Sequence, residues 1–242
     1  MNRSSDKVPE HLDKYDLCLV FPFEQKSSSL SALRAEVVEK IAELVGEDYV
    51  FMCRDHRRRK VFMYIRASMR LVKRRAESDK LQLLLDAEKT KLFALEGSDD
   101  ASIDGFDIHH MEEVTRLEPF DYIYGDYVAR REVQHLYHCS SGMQHPFRKS
   151  IRVKLLASAL QSSSNSTCQL SLEYLHLERI IDCYYPVHDG KELRAFASDW
   201  LGPWQCVSPW TQPYDDVKDY FGEKIAFYFI FLGSLLNNKC LI

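Results

Sequence analysis

The most apolar stretch of this chain lies near its end. In DYFGEKIAFYFIFLGSLLNNKCLI (Asp219–Ile242), the dozen residues from Ile225 to Leu236 carry no charge, yet the mean hydropathy of the whole chain is -0.33. A helix that crosses a bilayer needs roughly 20 mostly apolar residues at 1.5 Å each, and here Asn237, Asn238 and Lys239 interrupt the run. The segment is therefore either a buried helix or the first part of a span. A helix that is apolar on most of its circumference must be covered by protein or lipid, so this run constrains the fold more than any other feature. The expectation is one helix from Asp215 to about Leu236, poorly packed on the rest of the chain and set apart from it by the proline- and tryptophan-rich PWQCVSPWTQPY (203–214).

The remainder reads as an ordinary globular chain. Its 242 residues are 45% hydrophobic, enough for one large core or two small ones. A formal net charge of -4 argues against a protein whose task is broad nucleic-acid binding. Cysteines stand at 18, 53, 139, 168, 183, 206 and 240, an odd number without a C-x-x-C pair. Several lie within apolar runs, as small buried hydrophobes do in a reducing compartment. The N-terminal MNRSSDKVPEHLDK is polar and has no apolar segment of the kind that begins a secretory signal. Most of the chain is therefore expected in the cytosol, with residues 1–14 disordered.

From Tyr15 onward the pattern alternates between strand and helix signals. YDLCLVFPF (15–23) is rich in aromatic and aliphatic residues, as strands are. Next, Leu30, Leu33, Val37, Ile41 and Leu44 recur at steps of three or four and share one helical face, with Ser29 as a cap and Gly46 as a stop. DYVFMCR and KVFMYIRA read as strands joined by a charged turn, DHRRRK. SMRLVKRRAESDKLQLLLD (68–86) reads as a second helix. The order β-α-β-β-α predicts an α+β fold, a ferredoxin-like sandwich with extra helices and a C-terminal hydrophobic helix. The last strand has two contenders, KTKLFALEG (89–97) and LEYLHLERIIDCYYP (172–186). A single domain is expected over 15–190, with Leu33, Val37, Ile41 and Leu44 buried against the first strand. Residues 191–213 hold an amphipathic helix and a connector, and 214–242 the C-terminal segment.

Few residues carry an obvious chemistry. His135, His138, Cys139 and His145 are metal-capable and close in sequence, but adjacent residues rarely point at one ion, so ordinary polar loop positions are the expectation. Asp104, Asp107 and Asp126 lack the spacing of a calcium loop. Arg70, Lys73, Arg74 and Arg75 form a basic face that anionic lipid or a partner could use, although a solvated helix face is the expected reading. No phosphate-cradling glycine motif and no G-x-S-x-G elbow occurs, and His188-Asp189 is a dyad in sequence only. No catalytic, cofactor-binding or metal-binding residue is assigned, and an enzyme is not expected.

Two motifs remain. Tyr184 to Gly190 reads YYPVHDG, and about thirty residues later Asp219 to Ile225 reads DYFGEKI. The second resembles the segment with which anoctamins enter the membrane. The first, through Pro186, His188 and Asp189, is similar to an aromatic-Pro-x-His-Asp motif that closes the cytosolic N-terminal domain of that family. The short run between them resembles the intracellular, anoctamin-ten-like branch. The resemblance marks Pro186, His188, Asp189, Asp219, Tyr220, Phe221, Gly222, Glu223 and Lys224 as motif and membrane-entering residues.

The resemblance implies a dimeric membrane protein that conducts chloride or scrambles phospholipid under calcium control. In that family the calcium carboxylates and the conduction path lie in later helices, so it implies no cofactor site within this chain. It implies membrane lipid as a partner through the C-terminal helix, a homodimer, no nucleic acid and no small-molecule substrate. The N-terminal domain would be cytosolic, beside a membrane such as that of the endoplasmic reticulum. After Gly233 the family continues with more apolar and aromatic residues, whereas this chain reads SLLNNKCLI. A truncated gene model, an alternative transcript or a fragment is therefore expected. Two functional classes compete: the cytosolic portion of a channel or scramblase, and a free-standing α+β binding module with a membrane-touching tail.

Overall fold

The computed structural model describes residues 4–5, 11–23, 29–86, 88–90, 92, 123–139, 143–161, 170–200 and 214–239. They group into two compact units, Met1–Ser68 with Arg148–Ile242 and Met69–Phe147, whose boundaries fall within the expected 15–190 span.

The first unit is built on β1 (Ser4–Ser5), β2 (Leu17–Pro22), β3 (Val50–Asp55), β4 (Lys60–Ile65) and β7 (Cys183–Pro186), ordered β1-β3-β4-β2-β7 across one sheet. All neighbours are antiparallel except the β1–β3 pair. Strand β2 is central, and Leu17 to Phe21 are all buried. Side chains of a strand alternate between faces, so burial of consecutive residues means that both faces of β2 are covered. On one face Cys18 and Val20 join Cys53, Tyr64 and Val187, with Leu12, Tyr15, Phe51 and Phe62 packed around them. The thiol of Cys18 is pushed up to about 11, chiefly by burial, so it serves as an apolar filler rather than a nucleophile. Within residues 1–14, Ser4–Ser5 pairs with β3, and Leu12–Lys14 forms a 3-10 turn whose Leu12 touches this core.

Helix α1 (Ser29–Val45) forms where the sequence placed it and ends at Gly46, whose φ of 99° suits a glycine stop. Its phase differs from the expected one. Val37 and Ile41 are buried, but Leu33 is 44% exposed, and the buried stripe runs Arg34, Val37, Val38, Ile41, Ala42, Val45. The cause is Arg34. Its Nε and Nη2 donate to the carbonyls of Ile180 (2.9 Å) and Arg179 (3.0 Å). Those carbonyls follow α4 (Leu172–Leu177), where Arg179 takes a left-handed φ of 55°. Satisfying them turns Arg34 inward and Leu33 out. Helices α3 (Lys149–Gln161) and α5 (Gly190–Trp200) complete the part of this unit that precedes the C-terminal segment.

The charged DHRRRK is the expected exposed turn between β3 and β4. Asp55 Oδ1 accepts from the N–H groups of Arg57 (2.9 Å) and Arg58 (3.1 Å), a side-chain-closed turn. The last strand, β7, comes from the second of its two contenders, and the LEYLHL that begins that contender is α4. Most of KTKLFALEG lies outside the described residues, as do residues 97–110, 162–169 and 203–213.

The second unit contains α2 (Met69–Ser78), β5 (Gln82–Leu85) and β6 (Ile123–Asp126). The helix read over 68–86 is thus too long, since QLLL is a strand paired antiparallel with β6. The break is a backbone motif that needs no glycine. Lys80 adopts a left-handed φ of 47°, its N–H reaches Glu77 O (3.2 Å), and Leu81 N–H reaches Ala76 O (2.9 Å). These are the two bonds of a Schellman stop. Tyr137 anchors the unit. Buried, it accepts from Val128 N–H (2.8 Å) and donates to Asp126 O (2.7 Å), and its ring lies 5.2 Å from that of Tyr127.

Replacing Ile41, fully buried, by alanine is expected to cost about 2–5 kcal/mol. Leu33→Ala should stay within about 0.5 kcal/mol. Denaturant unfolding of both variants checks the phase of α1.

Candidate functional site

The residues that carry the two motifs meet in the first unit, where β7, α3, α5 and α6 (Tyr214–Phe221) converge. The place begins with Asp16, 1% exposed at the head of β2. Its N–H donates to Ile65 O (2.9 Å), and its carbonyl accepts from Val187 N–H (3.0 Å). Its Oδ2 accepts from Ala67 N–H (2.8 Å) and pairs with Arg152 Nη2 (2.7 Å) on α3. One buried carboxylate thus joins the start of β2, the chain after β4, the chain after β7 and a helix. Charge-assisted bonds of this kind are the strong ones.

Pro186 closes β7 opposite Leu17. β7 is an edge strand, and its end is a position where the missing proline N–H costs the sheet nothing. Val187 turns into the core, His188 is exposed, and Asp189 begins the next helix. Its Oδ1 accepts from Lys191 N–H (2.8 Å) and Glu192 N–H (3.4 Å), so Asp189 caps α5. The adjacent His188 Nδ1 lies 2.9 Å from the hydroxyl of Tyr220, and the two rings stack at 6.0 Å and 15°. The His-Asp pair is therefore divided: the aspartate serves its own helix and the histidine serves α6.

Tyr220 is held from a second side by Phe196 of α5, at 6.1 Å and 20°, and Phe196 also meets Phe221 edge-on at 5.8 Å. Asp219 pairs with Arg148, and its carbonyl accepts from Ser150 Oγ (3.2 Å) at the first turn of α3. Lys149, between these two, donates to Asp13 O (3.1 Å). Burial lowers the Lys149 ammonium from its ordinary range; Asp16, Asp189 and Glu192 oppose the shift and Arg152 adds to it. Burial, then the neighbouring Asp189, raises the Glu192 carboxyl, with Lys149 opposing. Burial, then Glu192 and Asp189, raises the Tyr220 phenol.

Gly222 marks the end of α6 with a φ of 92°, and α7 (Glu223–Lys239) begins immediately after it. The single helix expected over 215–236 is two, because a positive φ interrupts the helical backbone. Glu223 and Lys224 are exposed at the start of α7. Of the motif residues marked in the sequence, Pro186, His188, Asp189, Asp219, Tyr220 and Phe221 gather at this junction, whereas Gly222, Glu223 and Lys224 lie at its exit. Asp16, Arg148, Lys149, Ser150, Arg152, Glu192 and Phe196 were not singled out. A carboxylate at the head of an otherwise apolar strand was a readable signal for Asp16; the others are ordinary surface types until the chain folds. The metal-capable set is dispersed in use: His138 N–H bonds Leu84 O, and Cys139 Sγ donates to Tyr137 O. Among the described residues no three His, Cys, Asp or Glu side chains form a cluster able to hold an ion. In the basic face of α2, Lys73 donates to Gln134 and Arg75 pairs with Asp79.

Chemically, these groups are engaged with one another, and what the arrangement does is fasten α6 to the sheet and its helices. A stretch of 54 residues is 44% identical to Anoctamin-8 of Mus musculus, covering 22% of this chain and 5% of that protein. Part of this chain is anoctamin-related. Anoctamin-8 of Homo sapiens matches equally, at 44% over 54 residues and 4% of its length. No family model matches the chain. The anoctamin-related stretch thus corresponds to a small fraction of the curated relatives.

Breaking the Asp16–Arg152 pair with Arg152→Met should destabilise the fold by about 3–5 kcal/mol, because the carboxylate stays buried without its cation. The raised Glu192 carboxyl has a signed consequence. Ionising it in the fold is disfavoured, so its contribution to stability is present below about pH 4.5 and is lost as pH rises through its folded value. Glu192→Gln should match the parent chain in acid and have the higher thermal midpoint once the pH has passed that value; a pH series of thermal unfolding checks the sign.

Proposed function

We propose that this chain is the N-terminal cytosolic portion of an anoctamin-like membrane protein, a calcium-activated channel or phospholipid scramblase, and that it does not transport by itself. The observation that carries the reading is the stacked, hydrogen-bonded contact between His188 of the first motif and Tyr220 of the second. Residues thirty-two positions apart that resemble two ends of one family signature form one joint, and the helix after that joint presents Ile225, Phe227, Tyr228, Ile230, Phe231 and Leu235 to solvent. We read the sheet as a ferredoxin-like unit. Omitting β1, its order β7-β2-β4-β3 with antiparallel neighbours supports that arrangement. In this reading the unit lies on the cytosolic side of a membrane such as the endoplasmic reticulum, α7 meets lipid, and the protein pairs with a second copy; neither nucleic acid nor a small-molecule substrate is its partner, and it is not an enzyme.

A second reading is a free-standing α+β module with a membrane-touching tail. Among the described residues no helix is long and apolar enough to cross a membrane. Both readings place lipid on α7, where burying a phenylalanine such as Phe227, 70% exposed, is worth about 1.5–3 kcal/mol. Flotation with neutral phosphatidylcholine vesicles should recover the full chain with the lipid, and Phe227→Asp with Phe231→Asp should leave it behind. Vesicles carrying the chain should show neither calcium-dependent chloride flux nor lipid scrambling, since a conduction path needs several helices. Clear transport would overturn the first reading.

A further inference from the structure

The C-terminal helical pair has the construction of a latch. Gly222 N–H closes α6 on Lys218 O (2.9 Å), and Gly222 O accepts the first bond of α7 from Ala226 N–H (3.2 Å). One residue therefore both ends a helix and starts the next. Its φ of 92° folds α7 back along α6, so that the Tyr214 hydroxyl occupies the place where a Cβ on Gly233 would stand. In one continuous helix these residues would be about 28 Å apart along the axis. A Cβ at Gly222 would meet nothing within 4 Å, so glycine is needed there for its torsion and the joint is otherwise unobstructed.

The two helices are held differently. Arg148, Ser150, His188 and Phe196 fasten α6, whereas among the described residues α7 packs principally on α6 along one seam, with Val217 of α6 and Ala226 of α7 both buried. The seam side of α7 is as apolar as its exposed side: from Ile225 to Leu235 the sequence IAFYFIFLGSL has no charge on any face. A helix that only lay on a surface would keep a polar side toward water. One without such a side needs cover all round, and α6 provides it along one strip.

We propose that the folded-back pair is the closed state of a latch which opens at Gly222 when α7 enters lipid, Tyr214 leaving Gly233 while α6 stays fastened to the sheet. This rests on the reading that α7 meets lipid. Opening replaces the contact between α6 and α7 with acyl chains and aligns α7 as a continuation of α6.

The test uses the full chain with spin labels on non-natural residues at Asp216 and Leu235, both exposed, and pulsed electron resonance to measure their separation. In buffer the separation should be that of two packed helices, roughly 8–10 Å between axes plus the label linkers. On neutral phosphatidylcholine vesicles it should lengthen toward about 28 Å. Gly233→Leu, which sets a bulky side chain where the Tyr214 hydroxyl lies, should give the long separation in buffer and tighten vesicle binding. A chain that floats with vesicles yet keeps the short separation overturns the latch and leaves the membrane reading intact. A chain that does not float, with Gly233→Leu failing likewise, overturns the membrane reading and the latch with it.

Discussion

The carboxylate of Asp16 is the point on which the first unit depends. Buried beside Arg152 and bonded to Ala67 N–H, it lies where β2, the chain after β4, the chain after β7 and α3 come together. A charge taken out of water is costly unless paired and hydrogen-bonded, so the geometry here is narrowly specified. Arg152 must stand on the first turns of α3, and β7 must run to Pro186 and then turn so that Val187 N–H finds the Asp16 carbonyl. Once that turn is made, His188 and Asp189 follow at fixed positions, and α5 starts from the aspartate. The buried pair is thereby the structural reason that the first motif presents its histidine to α6.

The junction divides the C-terminal part into a fastened helix and a loosely covered one. Polar and aromatic contacts hold α6, and α7 carries apolar side chains outward, packed among the described residues principally on α6. A tail that leaves several large hydrophobic residues exposed is stable in water only at a cost. Such patches mark surfaces that something else covers. The sheet end that bears the junction is also the end from which the chain departs, since Leu17 pairs with Pro186 there while Pro22 and Lys60 lie at the far end by the arginine-rich turn.

Much of this was legible in the sequence, and the exceptions have two causes, contacts distant in sequence and local torsions that residue type does not reveal. The strand around Leu17–Phe21, the helix ending at Gly46 and the β3–β4 turn follow from local periodicity and turn chemistry, which a sequence displays directly. The phase of α1 does not, because Arg34 is drawn inward by carbonyls of residues 179 and 180, almost 150 positions away. The early end of α2 was hidden because Lys80, not a glycine, takes the left-handed position. The two motifs were visible as similarity, but their meeting was not, since thirty-two residues separate His188 from Tyr220 and nothing local requires them to touch. Gly222 stood in plain view within DYFGEKI, yet the sequence on either side of it reads as one helix until its torsion is known.

The central claim is that the two motifs form one physical joint. A double-mutant cycle with His188→Ala and Tyr220→Leu, read by denaturant unfolding of the full chain, tests it most directly. Stacked rings that also share a hydrogen bond should couple by about 0.5–1.5 kcal/mol. Single and double variants that add within about 0.3 kcal/mol would contradict it, and the motifs would then be neighbours in space without being a joint.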